Sequence, residues 1–184
     1  MRKHISALTL AVCGGFLAFA AQAQITGTSS LTATFQTNVV PGTCTAEIQD
    51  STGNPSSEIS FGDVFKSDLT AKSRIESLKL NFSDCSGVKS AEVQVAPGAG
   101  SNCSTASSDK FGSTNGTAFE LWKGAADSGS VLSCTTQPKQ NVTISSGNGN
   151  LDMNARIVIA DGKTIADVTP GAVTSLVTFM VTYQ

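Results

Sequence analysis

The chain has 184 residues, of which 12 are basic and 14 acidic, and its formal net charge is −2. Charged residues make up 14% of the sequence, well below the level of about 25% in ordinary soluble domains, whereas hydrophobic residues make up 40%. That hydrophobic content argues against a disordered chain. Because the chain is mildly acidic and has no long basic cluster, the composition also argues against a nucleic-acid partner, whose phosphates must be neutralised by Lys and Arg.

Residues 1–23 are predicted to be a secretory signal peptide. Arg2 and Lys3 precede an apolar run at 5–20, and Ala21-Gln22-Ala23 provides a small-x-small cleavage site. The segment contains Arg2, Lys3 and His4 but no acid, so the remaining 161 residues carry 10 basic and 14 acidic side chains and no histidine. Without histidine, Ser-His-Asp, Cys-His and His-metal chemistry are excluded. The sequence therefore predicts one exported domain that is not an enzyme and holds no metal or cofactor.

Four cysteines remain after the predicted signal peptide, which contains Cys13. They are Cys44, Cys85, Cys103 and Cys134. An even number in an exported chain indicates two disulfides, for which three connectivities are possible. A tetrathiolate zinc site is the competing interpretation, but structural zinc normally requires close C-x₂₋₄-C pairs, which are absent from this sequence.

Apolar and polar residues alternate at two-residue spacing through much of the chain, and this period predicts half-buried strands. Such strands are predicted at 31–39, 78–82, 91–95, 119–122, 142–144, 151–159 and 177–183. Turn-forming pairs such as Pro41-Gly42 and Pro97-Gly98 separate them, as an antiparallel sandwich requires. The segment 67–77 is the nearest candidate for a short helix, although part of it is equally compatible with a solvated loop. The predicted fold class is all-β.

Two other features were weighed for chemistry. Ser86-Gly87-Val88-Lys89 and Ser107-Ser108-Asp109-Lys110 both fit the S-x-x-K spacing of serine-lysine acyl enzymes, but the helix start and partner motifs that this chemistry needs are missing. Trp122, the single tryptophan, has a side chain able to stack on a sugar ring. Packing on a neighbour in a strand is the favoured interpretation.

The two ends of the predicted domain are the most informative. Alternating strands are predicted at 31–39 and at 177–183, close to either terminus. An apolar strand left unpaired at a sheet edge templates pairing with other chains. The pattern therefore predicts that strands are donated and accepted between molecules.

Specific motifs accompany this arrangement. Gly171 is fourteenth from the end and Tyr183 is penultimate, and further motifs are Val39-Val40-Pro41-Gly42-Thr43-Cys44, Ile59-Ser60-Phe61-Gly62-Asp63-Val64 and Leu78-Lys79-Leu80-Asn81-Phe82-Ser83-Asp84-Cys85. In these motifs the chain resembles the chaperone-usher fimbrial (pilus) subunits of Gram-negative bacteria, of the type 1 fimbrial protein kind. The resemblance extends over nearly the whole predicted mature chain.

The resemblance implies an immunoglobulin-like β-sandwich that lacks its final strand. A groove then lies open beside the C-terminal strand, where the expected residues are Gly171, Val177, Phe179, Val181 and Tyr183. A periplasmic chaperone first fills such a groove, and at the outer-membrane usher the N-terminal extension of the next subunit replaces it. Here the implied extension is 24–40, before a pilin domain at 41–184, and its donor residues are Leu31, Ala33, Phe35, Thr37 and Val39.

The resemblance also implies a disulfide and marks two departures. Cys44 is expected to pair with Cys85, as in the family. Many structural pilins carry that disulfide alone, whereas this chain also has Cys103 and Cys134, which we expect to form a second one. The family usually has glycine seven residues before the first cysteine, and this chain has Thr37 there.

The expected function is therefore a structural or minor subunit of an adhesive fimbria at the cell surface, reached by export through the periplasm. Its expected partners are the chaperone, the usher, other pilus subunits and, where the fibre adheres, a host receptor. Two-domain tip adhesins are nearly twice as long as this chain. The alternative is a single-domain adhesin module that binds a carbohydrate or a host surface.

Overall fold

The computed structural model describes residues 33–184, and the compact unit within it is Val39–Gln184. The elements in chain order are β1 (Thr43–Gln49), α1 (Lys66–Ala71), β2 (Ile75–Ser86), β3 (Ser90–Pro97), β4 (Phe111–Gly112), β5 (Thr117–Lys123), β6 (Ser130–Val131), β7 (Gln140–Thr143), β8 (Gly149–Ile159) and β9 (Val177–Tyr183). Apart from the short helix α1, all of these elements are strands, which confirms the predicted all-β fold class. No helix among the described residues is long and apolar enough to cross a membrane.

The strands form two antiparallel sheets. Sheet A has the order β1-β2-β8-β5-β4, with β6 also paired to β5, and sheet B has the order β7-β3-β9. The core consists of the alternate residues that each strand turns inward, because successive side chains of a strand point to opposite faces. Its members include Leu78, Leu80, Phe82, Ala91, Val93, Val95, Leu151 and Met153.

Helix α1 covers one end of this sandwich. Leu69 is its buried residue and packs with Ile157 of β8 and with Val168. The Asp68 carboxylate accepts a hydrogen bond of 2.9 Å from the main-chain N–H of Phe65, and Lys72 ends the helix in a left-handed conformation. The candidate helix at 67–77 is therefore real but shorter, since residues from Ile75 onwards pair with β8 instead.

The structure differs from the predicted strands in two places. Strand β1 was not among the strands predicted from alternation and was implied only by the resemblance, although its apolar residues Cys44, Ala46 and Ile48 do alternate with polar ones. In the strand predicted at 31–39, the described residues 33–39 belong to no strand. A strand needs a hydrogen-bonded neighbour, and a segment without one does not form the ladder on which strand structure depends. Leu31, the signal peptide and most of the extension lie outside the described residues.

Candidate functional site: a groove beside the last strand

Strand β9 is an edge of sheet B. It pairs antiparallel with β3 in an unbroken register, from Val177 opposite Pro97 to Tyr183 opposite Ala91, and among the described residues it has no neighbour on its other side. Its even-numbered side chains face outward, and the two large apolar ones, Leu176 just before the strand and Met180, are exposed. Its inward-facing side chains are Val177, Phe179, Val181 and Tyr183.

The hydrogen bonds to β3 are made by the even-numbered residues of this segment. Gln184 exchanges main-chain hydrogen bonds of 2.8 and 3.1 Å with Ser90, and the carbonyl of Leu176 accepts one of 2.7 Å from Gly98. In an antiparallel ladder, residues that bond one neighbour alternate with residues whose N–H and C=O groups point the other way. The open edge of β9 is therefore formed by the main-chain groups of the same four residues that point their side chains inward.

The inward side chains of β9 are incompletely covered. Those of the adjacent strand β3, Ala91, Val93 and Val95, are at most 1% exposed. Directly beside them on the same face, all four inward residues of β9 are only partly buried. Since both strands have the same alternation, the difference lies in what covers them, and no strand of the described part of the chain covers β9.

The opposite wall of the groove is β1, the edge strand of sheet A. Ala46 is the cross-strand partner of Phe82, which is fully buried, and so Ala46 lies on the inward face although it is exposed. Ile48 also faces inward, opposite Leu80, and is partly buried. At one end of the groove the walls meet, because the Tyr183 hydroxyl donates a hydrogen bond of 3.4 Å to the carbonyl of Cys44. The result is an apolar slot with an unpaired edge on β9.

The structure contains two disulfides, Cys44–Cys85 and Cys103–Cys134. The first joins β1 to β2 at the end of the groove that Tyr183 closes. The second ties the loop before β4 to the segment after β6. Because β4 lies at the opposite edge of sheet A from β1, the second disulfide supports a different part of the domain.

The S-x-x-K segment at 107–110 has a structural role. The Lys110 ammonium contacts the Asp161 carboxylate at 2.5 Å, and the Ser108 hydroxyl donates a hydrogen bond to the same carboxylate. Burial raises the pKa of Asp161, but the hydrogen bonds from Lys110 and Ser108 and the charge of Lys110 lower it by more, so the pKa lies below its usual value. The lysine is therefore paired with a carboxylate rather than with a serine nucleophile, and it ties the loop of the second disulfide to the segment after β8.

Trp122 belongs to a second ion-pair cluster on the outer face of sheet A. Arg156, only 2% exposed, bonds the carboxylates of Glu120 and Asp127, and its guanidinium carbon lies 5.9 Å from the centre of the Trp122 ring. The hydrogen bond from Arg156 is the main cause that lowers the pKa of Asp127. That bond also raises the pKa of Arg156, against the effect of burial, with a further contribution from Glu120. The indole therefore packs on a neighbour, and sequence reasoning did not identify the arginine beneath it.

The remaining predicted site residues are distributed as follows. Gly171, grouped with the groove strand in the sequence analysis, lies in the loop before β9, where an added Cβ would approach the Asn115 amide nitrogen to 2.6 Å. Gly171 therefore does not belong to the strand, and a side chain at this position would clash with Asn115. Of the donor residues, Phe35 and Val39 are 95% and 90% exposed, and Ala33 and Thr37 are also exposed.

Comparison with known proteins agrees with this architecture. No protein-family model matches the chain. The uncharacterized fimbrial-like protein YadL of Escherichia coli strain K12 is 33% identical over 172 residues, an alignment that covers 85% of this chain and 86% of YadL.

Two solved structures share the fold. The P pilus rod subunit PapA superposes with a TM-score of 0.58 at 19% identity, over 83% of this chain and 99% of PapA. A chain from a chaperone-usher pilus, solved to explain rod uncoiling, gives a TM-score of 0.53 at 22% identity, over 85% of this chain and 96% of its own. At these identities the likeness is one of fold.

Proposed function

This chain belongs to the family of chaperone-usher fimbrial (pilus) subunits, and we propose that it is a structural or minor subunit of a fimbria that polymerises by donor-strand exchange. The observation that carries the proposal is the open edge of β9. Four inward side chains there are only partly buried, while their neighbours on β3 are at most 1% exposed. One further strand, inserted between β9 and β1, would cover them and pair the free main-chain groups.

The donor in this proposal is the extension 24–40 of another subunit, between the signal peptide at 1–23 and the pilin domain at 41–184. Its donor face carries Leu31, Ala33, Phe35, Thr37 and Val39. The near-complete exposure of Phe35 and Val39 supports this role, since apolar side chains of that size gain roughly 1.5 to 3 kcal/mol each on burial. Main-chain pairing along β9 adds affinity that does not depend on the identity of the side chains.

The same groove supports a proposal for the export route. An apolar slot left open on a free subunit would associate non-specifically. We propose that a periplasmic chaperone occupies it until the outer-membrane usher delivers the subunit to the growing fibre. The fibre then stands at the cell surface and contributes to adhesion.

A matched pair of variants tests the donor role. Phe35→Asp places a charge on the donor face, where an unpaired carboxylate inside an apolar groove is costly, whereas Thr34→Asp places the same charge on the opposite face of the strand. We expect the Phe35 variant to be lost from fibres and the Thr34 variant to be incorporated as the wild type. The measurement is the amount of each variant in sheared fibres, relative to its amount in the periplasm. Equal incorporation of the two variants would refute the donor role.

A further inference from the structure

The outer face of sheet A carries a cross-strand row of one aromatic and two polar side chains. Trp122 of β5 lies opposite Asn154 of β8, which in turn lies opposite Ser77 of β2. All three point away from the core, because the residues next to them in the chain, such as Leu121 and Met153, point into it. Trp122 is partly exposed. The row therefore presents an aromatic ring, an amide and a hydroxyl at the surface of one sheet.

The indole ring and the amide beside it are held in fixed orientations. The indole N–H donates a hydrogen bond of 3.4 Å to Oε2 of Glu120, and the guanidinium of Arg156 lies over the ring. The Asn154 amide oxygen accepts a hydrogen bond of 2.7 Å from the Ser77 hydroxyl. Groups that are already ordered bind a ligand at a lower entropic cost than mobile ones. The row is thus prepared for a ligand before one arrives.

One carboxylate oxygen next to the indole has no partner. Glu120 is 8% exposed, and its Oε2 accepts hydrogen bonds from Arg156 and from Trp122, whereas its Oε1 accepts none from any residue of 33–184. A nearly buried carboxylate oxygen is costly when it lacks a donor. This oxygen still reaches the surface, because Ser175 Oγ is the only fully buried side-chain polar atom without a partner in the same range. Glu120 Oε1 is therefore a free acceptor beside the ring.

The charges of the cluster disfavour an anionic ligand. Glu120 and Asp127 supply two negative groups and Arg156 supplies one positive group, so the formal net charge is −1. The amide and the hydroxyl of the row are neutral. A ligand that fits this site is therefore uncharged, carries hydrogen-bond donors for the free carboxylate oxygen and has an apolar surface for the indole.

We propose that this part of sheet A binds a neutral hexopyranoside, with one face of the sugar ring against Trp122 and a sugar hydroxyl donating to Oε1 of Glu120. A pyranose ring has C–H groups on its faces, which suit contact with the electron-rich face of an aromatic ring, and hydroxyl groups around its edge. Ser77 and Asn154 lie in the same row and are positioned to bind further sugar hydroxyls. The inference deepens the adhesion part of the proposed function, and its role in a fibre rests on that function.

The site lies apart from the groove. Strands β2 and β8 separate β5 from β1, the strand of sheet A that lines the groove. A strand inserted between β9 and β1 therefore does not occupy the sugar site. Sugar binding and strand exchange can accordingly be tested independently of each other.

The single tryptophan of the chain makes binding directly visible by fluorescence. We expect the emission of residues 24–184 to change on titration with at least one neutral methyl glycoside of galactose, glucose, mannose or N-acetylglucosamine, with a Kd on the order of 1 mM. The methyl glycoside of N-acetylneuraminic acid, which carries a carboxylate, should bind about tenfold more weakly or not at all, because the cluster is negative. Absence of binding by all the neutral glycosides, or equal or tighter binding of the anionic one, would overturn the proposal.

Three variants assign the binding to these residues. Because Trp122→Ala removes the fluorophore, binding is followed by the transfer of NMR saturation from the protein to the glycoside protons. Trp122→Ala should weaken binding by about tenfold or more, and Glu120→Gln by about fivefold or more, since the amide directs its oxygen to Arg156 and presents a donor in place of the free acceptor. Glu47→Gln makes the same change on the outer face of β1, three strands away, and should bind as the wild type.

Two results in this series are decisive. Circular dichroism identifies the variants that fold, and if Glu120→Gln does not fold, Trp122→Ala alone decides. A folded Trp122→Ala variant that binds the glycoside as tightly as the wild type refutes the site. Loss of binding in Trp122→Ala together with unchanged binding in Glu47→Gln supports it.

The sugar site and the donor role fail separately. If no neutral glycoside binds, the sugar site is refuted, while the incorporation of the Phe35→Asp and Thr34→Asp variants into fibres still decides strand exchange. If those two variants are incorporated equally, the donor role is refuted, while glycoside binding to residues 24–184 still decides the sugar site.

Discussion

Sheet B has two edge strands, which differ in how well their inward side chains are covered. At the β7 edge, the inward residue Val142 and the next apolar residue, Ile144, are 4% and 9% exposed. At the β9 edge, all four inward residues remain partly buried. The two edges flank the same strand, β3, whose own inward residues are fully covered. The incompleteness of the sandwich is therefore a property of one edge rather than of the whole core.

The β7 edge is closed by the chain itself. After β7, a turn at 145–148 leads directly into β8 of sheet A, and the carbonyl of Gly147 accepts a hydrogen bond of 3.0 Å from Cys85. Gly149 sits so close to this edge that an added Cβ would lie 2.6 Å from Ile144 Cδ1. Among the described residues no comparable connection covers β9. The comparison indicates that, within residues 33–184, inward side chains are left partly uncovered at the β9 edge and not at the β7 edge.

The largest expected effect comes from breaking the disulfide at the open edge. Replacing Cys44 and Cys85 together by serine should lower the free energy of unfolding by about 4 kcal/mol, because the disulfide closes a loop of about 40 residues. The same change at Cys103 and Cys134 should cost a similar amount. Only the first pair supports a wall of the groove, so only its loss should also weaken binding of a synthetic peptide of residues 24–40, the proposed donor.

Urea unfolding and peptide titration of both double variants check this prediction. The expected pattern is similar stability and different affinity. Equal loss of peptide affinity in the two variants would show that the groove is not supported locally by Cys44–Cys85.

A smaller effect is expected from shortening one inward valine at each edge of sheet B. Val142→Ala at the closed edge should cost about 2 to 3 kcal/mol, as expected for a fully buried valine that leaves a cavity. Val181→Ala at the open edge should cost about 1 kcal/mol or less, because its side chain is already partly in water. Saturation with the 24–40 peptide should increase the cost of Val181→Ala towards that of Val142→Ala and leave the latter unchanged. Urea unfolding of both variants with and without peptide measures this, and a cost at Val181 that does not respond to peptide would contradict the account.

The long alternating strands could be predicted from the sequence because their apolar residues recur at a strict two-residue spacing. β2, β3, β8 and β9 belong to this group. Strand β1 was not recognised, although Cys44, Ala46 and Ile48 alternate with polar residues, because Ile48 is the one large aliphatic residue among them and the signal is short. Residues 33–39 show the converse, because they alternate clearly but form no strand. Alternation indicates that a segment is able to pair with a sheet edge but not whether a partner strand is present.

The candidate site was partly accessible from the sequence. The four inward residues of β9 stand out by their alternation and by their place near the end of the chain. The Arg156 cluster carries no such signal, since its three charged residues come together only through the pairing of β8 with β5 and the loop that follows β5.

The most direct test of the open edge is residue-resolved amide hydrogen exchange of residues 24–184, with and without a saturating synthetic peptide of residues 24–40. Without peptide, the amides of Val177, Phe179, Val181 and Tyr183 should exchange quickly, whereas the even-numbered amides between them, bonded to β3, should be protected. With peptide, the odd-numbered amides should become protected as well, and the alternation should disappear. Odd-numbered amides that are already protected without peptide, or that stay unprotected with it, would contradict the claim that β9 awaits a strand from another molecule.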